Sequence, residues 1–110
     1  MNPIKIGIIL NTNDAETCWN CFRFGNTALK RHSVRVFLLG SGVEAEGVKD
    51  ERFPLLAGAI EKFVSNGGII LACGTCLRQR LKEGSGICSV STMEGLLSMV
   101  EESERLVTFG

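Results

Sequence analysis

The sequence predicts a three-layer α/β/α sandwich built on a mostly parallel five-stranded sheet, and three observations lead there. Short apolar runs alternate with amphipathic, helix-length segments along the whole chain, which is the βα alternation of parallel-sheet proteins with right-handed crossovers. The run Ile69-Ile70-Leu71-Ala72 is apolar at every position rather than at every second one, as expected of a strand covered on both faces. Asn, Asp and Gly clusters separate the runs and supply the turns.

Taken in order, Ile4 to Leu10 forms the first strand, and Asn11-Thr12-Asn13-Asp14 turns the chain. Asn13 with Glu16 three residues on has the form of a capping box, and Cys18, Cys21, Phe22, Gly25, Ala28 and Leu29 then lie on one helical stripe. Lys30-Arg31-His32 closes that helix with positive charge, the sign favoured at a helix C-terminus. The only histidine, His32, is read there as a solvated terminal group. Ser33 to Leu39 is the second strand, Gly40-Ser41-Gly42 ends it, and Val43 to Asp50 is a loop able to wall a site. The second helix is expected from about Pro54 to Ser65, with Leu56, Ala57, Ile60, Phe63 and Val64 inward and Asn66-Gly67 as its stop.

After the third strand a short basic helix runs until Gly84-Ser85-Gly86 breaks it. Ile87 to Val90 is a fourth strand. Ser91 and Glu94 form the capping box of a last helix whose inner stripe is Met93, Leu96, Leu97 and Val100, and Arg105 to Phe109 is the fifth strand. At 110 residues, with no repeat or linker, residues 1–110 read as one domain. A chain this short buries about two-thirds of its unfolded surface, so association of copies is expected to help it.

Twelve basic residues balance twelve acidic ones, which leaves no footprint for nucleic acid or an anionic membrane. No apolar run reaches the length of a membrane span, the start Met1-Asn2-Pro3-Ile4-Lys5 lacks signal-peptide layout, and the cytoplasm is the expected location. Five cysteines cannot all pair within one chain, and in a reducing compartment thiols are expected rather than a disulfide framework.

The chemistry concentrates in Cys73-Gly74-Thr75-Cys76. Cys73 stands at the carboxyl end of the apolar strand, where open α/β sheets bind their ligands, and Cys76 falls in the first turn of the following helix. Helix N-terminal N–H groups, with Arg78, Arg80 and Lys82 nearby, favour thiolate over thiol. A second pair, Cys18-Trp19-Asn20-Cys21, lies on the core stripe of the first helix. Packing is its expected role, although Cys18 sits near enough to the same sheet edge to serve as an accessory thiol at the pocket mouth. A four-thiolate zinc or iron–sulfur site is not expected, because the pairs are far apart and embedded in regular structure. With no Gly-x-Gly-x-x-Gly and no Walker-type loop, no nucleotide cofactor is expected either.

Cys-Trp-Asn-Cys-Phe-Arg-Phe-Gly-Asn-Thr-Ala-Leu in the first helix, Val-Phe-Leu-Leu-Gly-Ser-Gly-Val-Glu-Ala after the second strand and Ala-Cys-Gly-Thr-Cys-Leu-Arg before the third helix together resemble the DsrE/DsrF-like proteins, relatives of the TusD sulfur-relay subunits. The resemblance covers essentially the whole chain. It implies a small cytoplasmic subunit of trimers or hexamers that, in active members, carries sulfane sulfur as a cysteine persulfide between donor and acceptor proteins without a cofactor. By position, the sulfur-accepting cysteine of the family falls at Cys73, with Cys76 second. Two other readings stay open on the residues: a non-catalytic oligomeric or ligand-binding module, and a thiol–disulfide redox protein in which Cys73 and Cys76 pair.

Overall fold

The computed structural model describes residues 2–110. Five strands, β1 (Lys5–Leu10), β2 (Ser33–Leu38), β3 (Ile69–Cys73), β4 (Ser89–Ser91) and β5 (Arg105–Phe109), line up in the order β4-β3-β2-β1-β5. Every pairing is parallel, with Lys5 opposite Ser33, Ile6 opposite Arg105, Arg35 opposite Ile69 and Cys73 opposite Ser91. Helices α1 (Ala15–Leu29), α2 (Leu56–Ser65), α3 (Gly74–Gln79) and α4 (Met93–Glu102) make the connections. The predicted α/β sandwich is the observed one, and its sheet is parallel throughout.

The helices divide unequally between the two faces. A Cβ on Gly25 of α1 would meet Phe63 of α2 and Ile8 of β1, whereas a Cβ on Gly7 would meet Ser103, Leu106 and Met99. Gly7 and Ile8 are successive strand residues and point to opposite faces. So α1 and α2 share one face and α4 covers the other, while right-handed crossovers place α3 with the first two. The thicker side holds most of the core: Phe22 and Phe63 pack edge to face at 5.6 Å, with Ile8, Leu10, Val36, Cys18 and Cys21 fully buried. Burial of each large apolar side chain is worth about 1.5–3 kcal/mol, so this layer dominates stability.

Several local expectations give way to the tertiary structure. Asp14, not Asn13, caps α1, its carboxylate accepting from Thr17 N–H at 3.0 Å, because Asn13 is drawn across to Ser41 and Glu44. His32 is not a free terminal group: its Nδ1 accepts the Ile4 N–H at 3.1 Å and pins the chain just ahead of β1. The basic cluster lies at and beyond the end of α1 rather than in its last turn. The expected loop after β2 is instead a run of 3-10 turns over Gly40–Gly47, anchored by buried Val43 and Ala45.

Helix α2 begins at Leu56, with Pro54 in the preceding turn and Ala57 exposed. Helix α3 ends at Gln79, well before Gly84, since Leu81 takes a left-handed φ of 53° that no helix continues through. The fourth strand is displaced to Ser89–Ser91, and Thr92 rather than Ser91 caps α4 by accepting from Gly95 N–H at 3.1 Å. The inner stripe of α4 shifts with it. Met99 is fully buried and Leu96 partly so, while Met93, Leu97 and Val100 face outward. Ser103, just past the helix, donates its hydroxyl to Met99 O at 2.6 Å beneath that inner face. No helix is long and apolar enough to cross a membrane among the described residues.

The turn after β2 tests the tightest backbone approach in the fold. Leu39 N–H donates to Leu10 O at 3.0 Å, and Gly42 then passes so close that a Cβ there would overlap that same carbonyl oxygen. Backbone cannot step aside as a flexible side chain would. Gly42→Ala is therefore expected to cost about 1–3 kcal/mol in urea unfolding under reducing conditions, whereas Gly47→Ala, with open space at its Cβ, stays within about 0.5 kcal/mol. Equal midpoints for the two variants would refute this account of the turn.

Candidate functional site

The two strands nearest the Cys-x-x-Cys turn send their chains to opposite faces of the sheet: β3 runs into α3 on the thick side and β4 into α4 on the thin side. Such a reversal opens a crevice beyond the carboxyl ends of the strands, and in open α/β sheets that crevice is where ligands sit. A cleft of about 410 Å³ lies here, walled by Gly74, Thr75 and Arg78 from α3 and by Ser91, Thr92 and Glu94 from the start of α4. Cys73 is on its floor, 2% exposed.

Cys73 is both the last residue of β3 and the cap of α3. Its extended backbone ends the strand, and its Sγ accepts Cys76 N–H at 3.4 Å, the place a serine or aspartate oxygen takes in an ordinary cap. Burial pushes this thiol up, but the Cys76 N–H, the Cys76 side chain, the Thr75 N–H and the Arg78 charge together outweigh it, and the pKa falls below the ordinary 9.0. The thiolate fraction is thereby raised over that of an ordinary cysteine.

Cys76, half-buried, is held the other way. Its hydrogen bond to the Cys73 sulfur, followed by burial, raises its pKa, against the opposing pull of Gly40 N–H and the Arg80 charge. Gly40 N–H reaches Cys76 Sγ at 3.3 Å. Gly40 reaches this position in a left-handed conformation, φ 56°, close against Asn11, whose Oδ1 would lie 2.6 Å from any Cβ there. Arg80 turns back over α3, donating to Cys76 O at 3.2 Å and pairing with Glu44 at 3.5 Å. It therefore braces the helix and Cys76, while Arg78 serves Cys73.

The other cysteines stand apart from the cleft. Cys18 is fully buried and donates its thiol to Thr12 O at 3.4 Å; burial, then the Asp14 charge, pushes its pKa up to about 11. The structure thus places Cys18 inside the core rather than at the pocket mouth, because the α1 stripe carries it under the sheet edge. Cys21 is also fully buried, its pKa raised by burial to about 12, and burial raises that of Cys88, just before β4, to about 11. Among the described residues no three His, Cys, Asp or Glu side chains group to hold a metal ion.

Sequence reasoning named Cys73, Cys76 and Arg78, which the structure brings together. It missed the Gly40 amide, the Arg80–Glu44 brace and the Ser91–Thr92 wall. The one available signal was Gly40-Ser41-Gly42 directly after a strand, since a glycine there allows the backbone to turn its N–H toward a neighbouring strand end.

No protein-family model matches the chain. The E. coli ychN protein has the same fold, with a TM-score of 0.80 at 19% identity over 99% of this chain and 100% of that one. That likeness supports the three-layer α/β fold expected from the sequence. The uncharacterized protein MJ0989 of Methanocaldococcus jannaschii is 36% identical over 106 residues, covering 86% of this chain and 88% of its own. The uncharacterized protein MK0008 of Methanopyrus kandleri is 31% identical over 100 residues, covering 86% of this chain and 83% of its own. Identity at that level along most of both chains makes them relatives, and this chain belongs to the family of MJ0989 and MK0008.

Proposed function

We propose that this protein carries sulfane sulfur as a persulfide on Cys73 and passes it to an acceptor thiol, a sulfurtransferase-like activity. The observation that carries this reading is the acidified Cys73 sulfur on the floor of a cleft, capping a helix and facing Arg78. In the loading step the Cys73 thiolate attacks the outer sulfur of a donor persulfide. A bond forms between that sulfur and Cys73 Sγ, the donor S–S bond breaks, and the donor departs as its thiolate. Delivery is the same exchange in reverse sense, with an acceptor thiolate attacking the outer sulfur and Cys73 leaving. No net oxidation accompanies either step.

The site's geometry suits this use. Cys73 Sγ is nearly closed off, so a sulfur added to it extends into the cleft, where Ser91, Thr92 and the α3 amides line its path. Sheltering a persulfide from bulk thiols slows its loss to the wrong acceptor. Donor and acceptor proteins in the cytoplasm are the corresponding partners, and the chain's balanced charge favours neither nucleic acid nor a membrane surface.

We also propose that the working unit is a homo-oligomer, a trimer or hexamer as the DsrE/DsrF resemblance implies. Supporting this, α4 covers its face of the sheet alone and leaves Met93 58%, Leu97 55% and Val100 38% exposed, an apolar strip on one helix. Sedimentation at micromolar concentration is expected to give a discrete oligomer that Leu97→Lys weakens. A monomeric parent protein would sink this assignment.

Two measurements test the carrier itself. Alkylation of Cys73, followed by peptide mass, is expected to rise with pH over a range lower than that of an ordinary thiol, with Cys76 modified only at higher pH and Cys18, Cys21 and Cys88 last. The sign follows from the thiolate being the nucleophile: a lowered pKa moves the reactive range down. Exposure to a cysteine persulfide donor, with the product trapped at once by alkylation, is expected to place one added sulfur on Cys73, and Cys73→Ser to keep the fold while losing most of the loading. Undiminished loading in that variant would mean that the acceptor is another residue.

A further inference from the structure

Cys76 has a setting that no structural cysteine of this chain shares. Cys18 is satisfied as a donor, its thiol directed at the Thr12 carbonyl, the arrangement of an inert buried thiol. The Cys76 sulfur instead accepts a backbone N–H from Gly40 at 3.3 Å and faces Cys73 from the same helical turn. An N–H aimed at sulfur stabilises negative charge there. Gly40 presents that N–H from a left-handed conformation packed against Asn11, and Arg80 fixes the turn through Cys76 O and Glu44. These are the arrangements of a thiol that is meant to ionise at some stage.

We propose that Cys76 is the resolving thiol for Cys73, attacking the Cys73 sulfur once it is loaded and releasing the carried sulfur as hydrosulfide. The proposal rests on the persulfide reading of Cys73 and adds a second, reductive exit for the sulfur. In that step a bond forms between Cys76 Sγ and Cys73 Sγ, and the bond from Cys73 Sγ to the outer sulfur breaks. The bonding pair leaves with the outer sulfur as hydrosulfide. The Cys76 proton passes to the departing outer sulfur, so that the anionic persulfide releases hydrosulfide rather than a bare dianion. Sulfane sulfur is reduced to sulfide, the two cysteines are oxidised to a disulfide, and a dithiol, small or protein-borne, resets the pair by exchange.

Geometry permits the closure. Residues three apart at a helix start are neighbours on one face, and disulfides form across Cα separations of roughly 4.4–6.8 Å without rebuilding the backbone. Timing is built in as well. In the empty protein Cys76 donates its hydrogen to the Cys73 sulfur, which holds Cys76 in the unreactive thiol form. A sulfur atom added to Cys73 moves the negative charge outward to the terminal sulfur and removes that acceptor. Gly40 N–H and Arg80 then act on Cys76 without the largest of the effects that oppose them, so loading itself prepares the attack. A competing acceptor must take the outer sulfur before Cys76 reaches the inner one.

The experiment uses the full chain, reduced, loaded with a limiting amount of inorganic polysulfide and desalted. The parent protein is expected to release close to one equivalent of sulfide per loaded sulfur and to finish as a Cys73–Cys76 disulfide, two hydrogens lighter by peptide mass. Cys76→Ser is expected to keep the extra sulfur on Cys73 and release sulfide at least about tenfold more slowly. Circular dichroism checks that the variant is folded; should it not be, trapping the Cys73–Cys76 disulfide in the desalted parent decides the matter alone. Sulfide release from folded Cys76→Ser at the parent rate, or a parent protein that holds its persulfide without forming the disulfide, overturns the resolving role while leaving the carrier intact. No sulfur on Cys73 in either protein overturns both.

Discussion

The parallel pairing of β4 against β3, with Leu71 opposite Ser89, Ala72 opposite Val90 and Cys73 opposite Ser91, is the constraint on which the site depends. Only three residues long, β4 is the outermost strand on its side, and its carboxyl end must finish level with Cys73 for the cleft to have a second wall. Because α3 leaves for one face and α4 for the other, nothing fills the space between them. A parallel sheet with a reversal in winding direction produces this opening as a matter of topology. The chain has placed its most acidified thiol at its base.

Five copies of one side chain show how far position controls chemistry. Cys18 and Cys21 occupy the inner face of α1, where loss of hydration penalises the thiolate and their pKa values climb to about 11 and about 12. Cys73 is almost equally hidden from solvent, yet its sulfur faces amide hydrogens and a guanidinium, and its pKa moves down. Burial alone is therefore a poor guide to reactivity. What matters is whether the groups that replace water can themselves solvate an anion.

The thin side of the sheet has a different character. Helix α4 is alone there, tied down by Met99 in the core, the Ser103 hydroxyl on Met99 O and the Arg35–Glu102 ion pair at 3.0 Å. Exposed surface pairs of that kind contribute roughly 0–1 kcal/mol, so the buried methionine does more to hold the helix than the charges do. The outward Met93, Leu97 and Val100 make this the face on which assembly has most to gain.

Periodicity and turn chemistry made most of the architecture legible. Apolar runs separated by Asn, Asp and Gly led to a parallel α/β sheet, Arg105–Phe109 was placed to the residue, and the α1 stripe of Cys18, Cys21, Phe22, Gly25 and Ala28 is the buried one. Cys73 and Cys76 stood out because a strand end followed by a helix start is a chemically unusual place for thiols. Helix caps were read one residue early at both Asn13 and Ser91, since a cap depends on which side chain is free, and Asn13 had a distant partner in Glu44. The outward turn of Met93, Leu97 and Val100 was invisible because an apolar residue reads the same whether it faces this core or another surface. The sequence by itself determined the order of elements, the parallel sheet and the place of Cys73 and Cys76, all of which rest on local preference and period. Only the tertiary structure decided that Gly40 delivers its N–H to Cys76, that Arg80 braces the helix while Arg78 serves Cys73, and that Cys18 lies in the core, because each depends on groups distant in sequence meeting at one edge of the sheet.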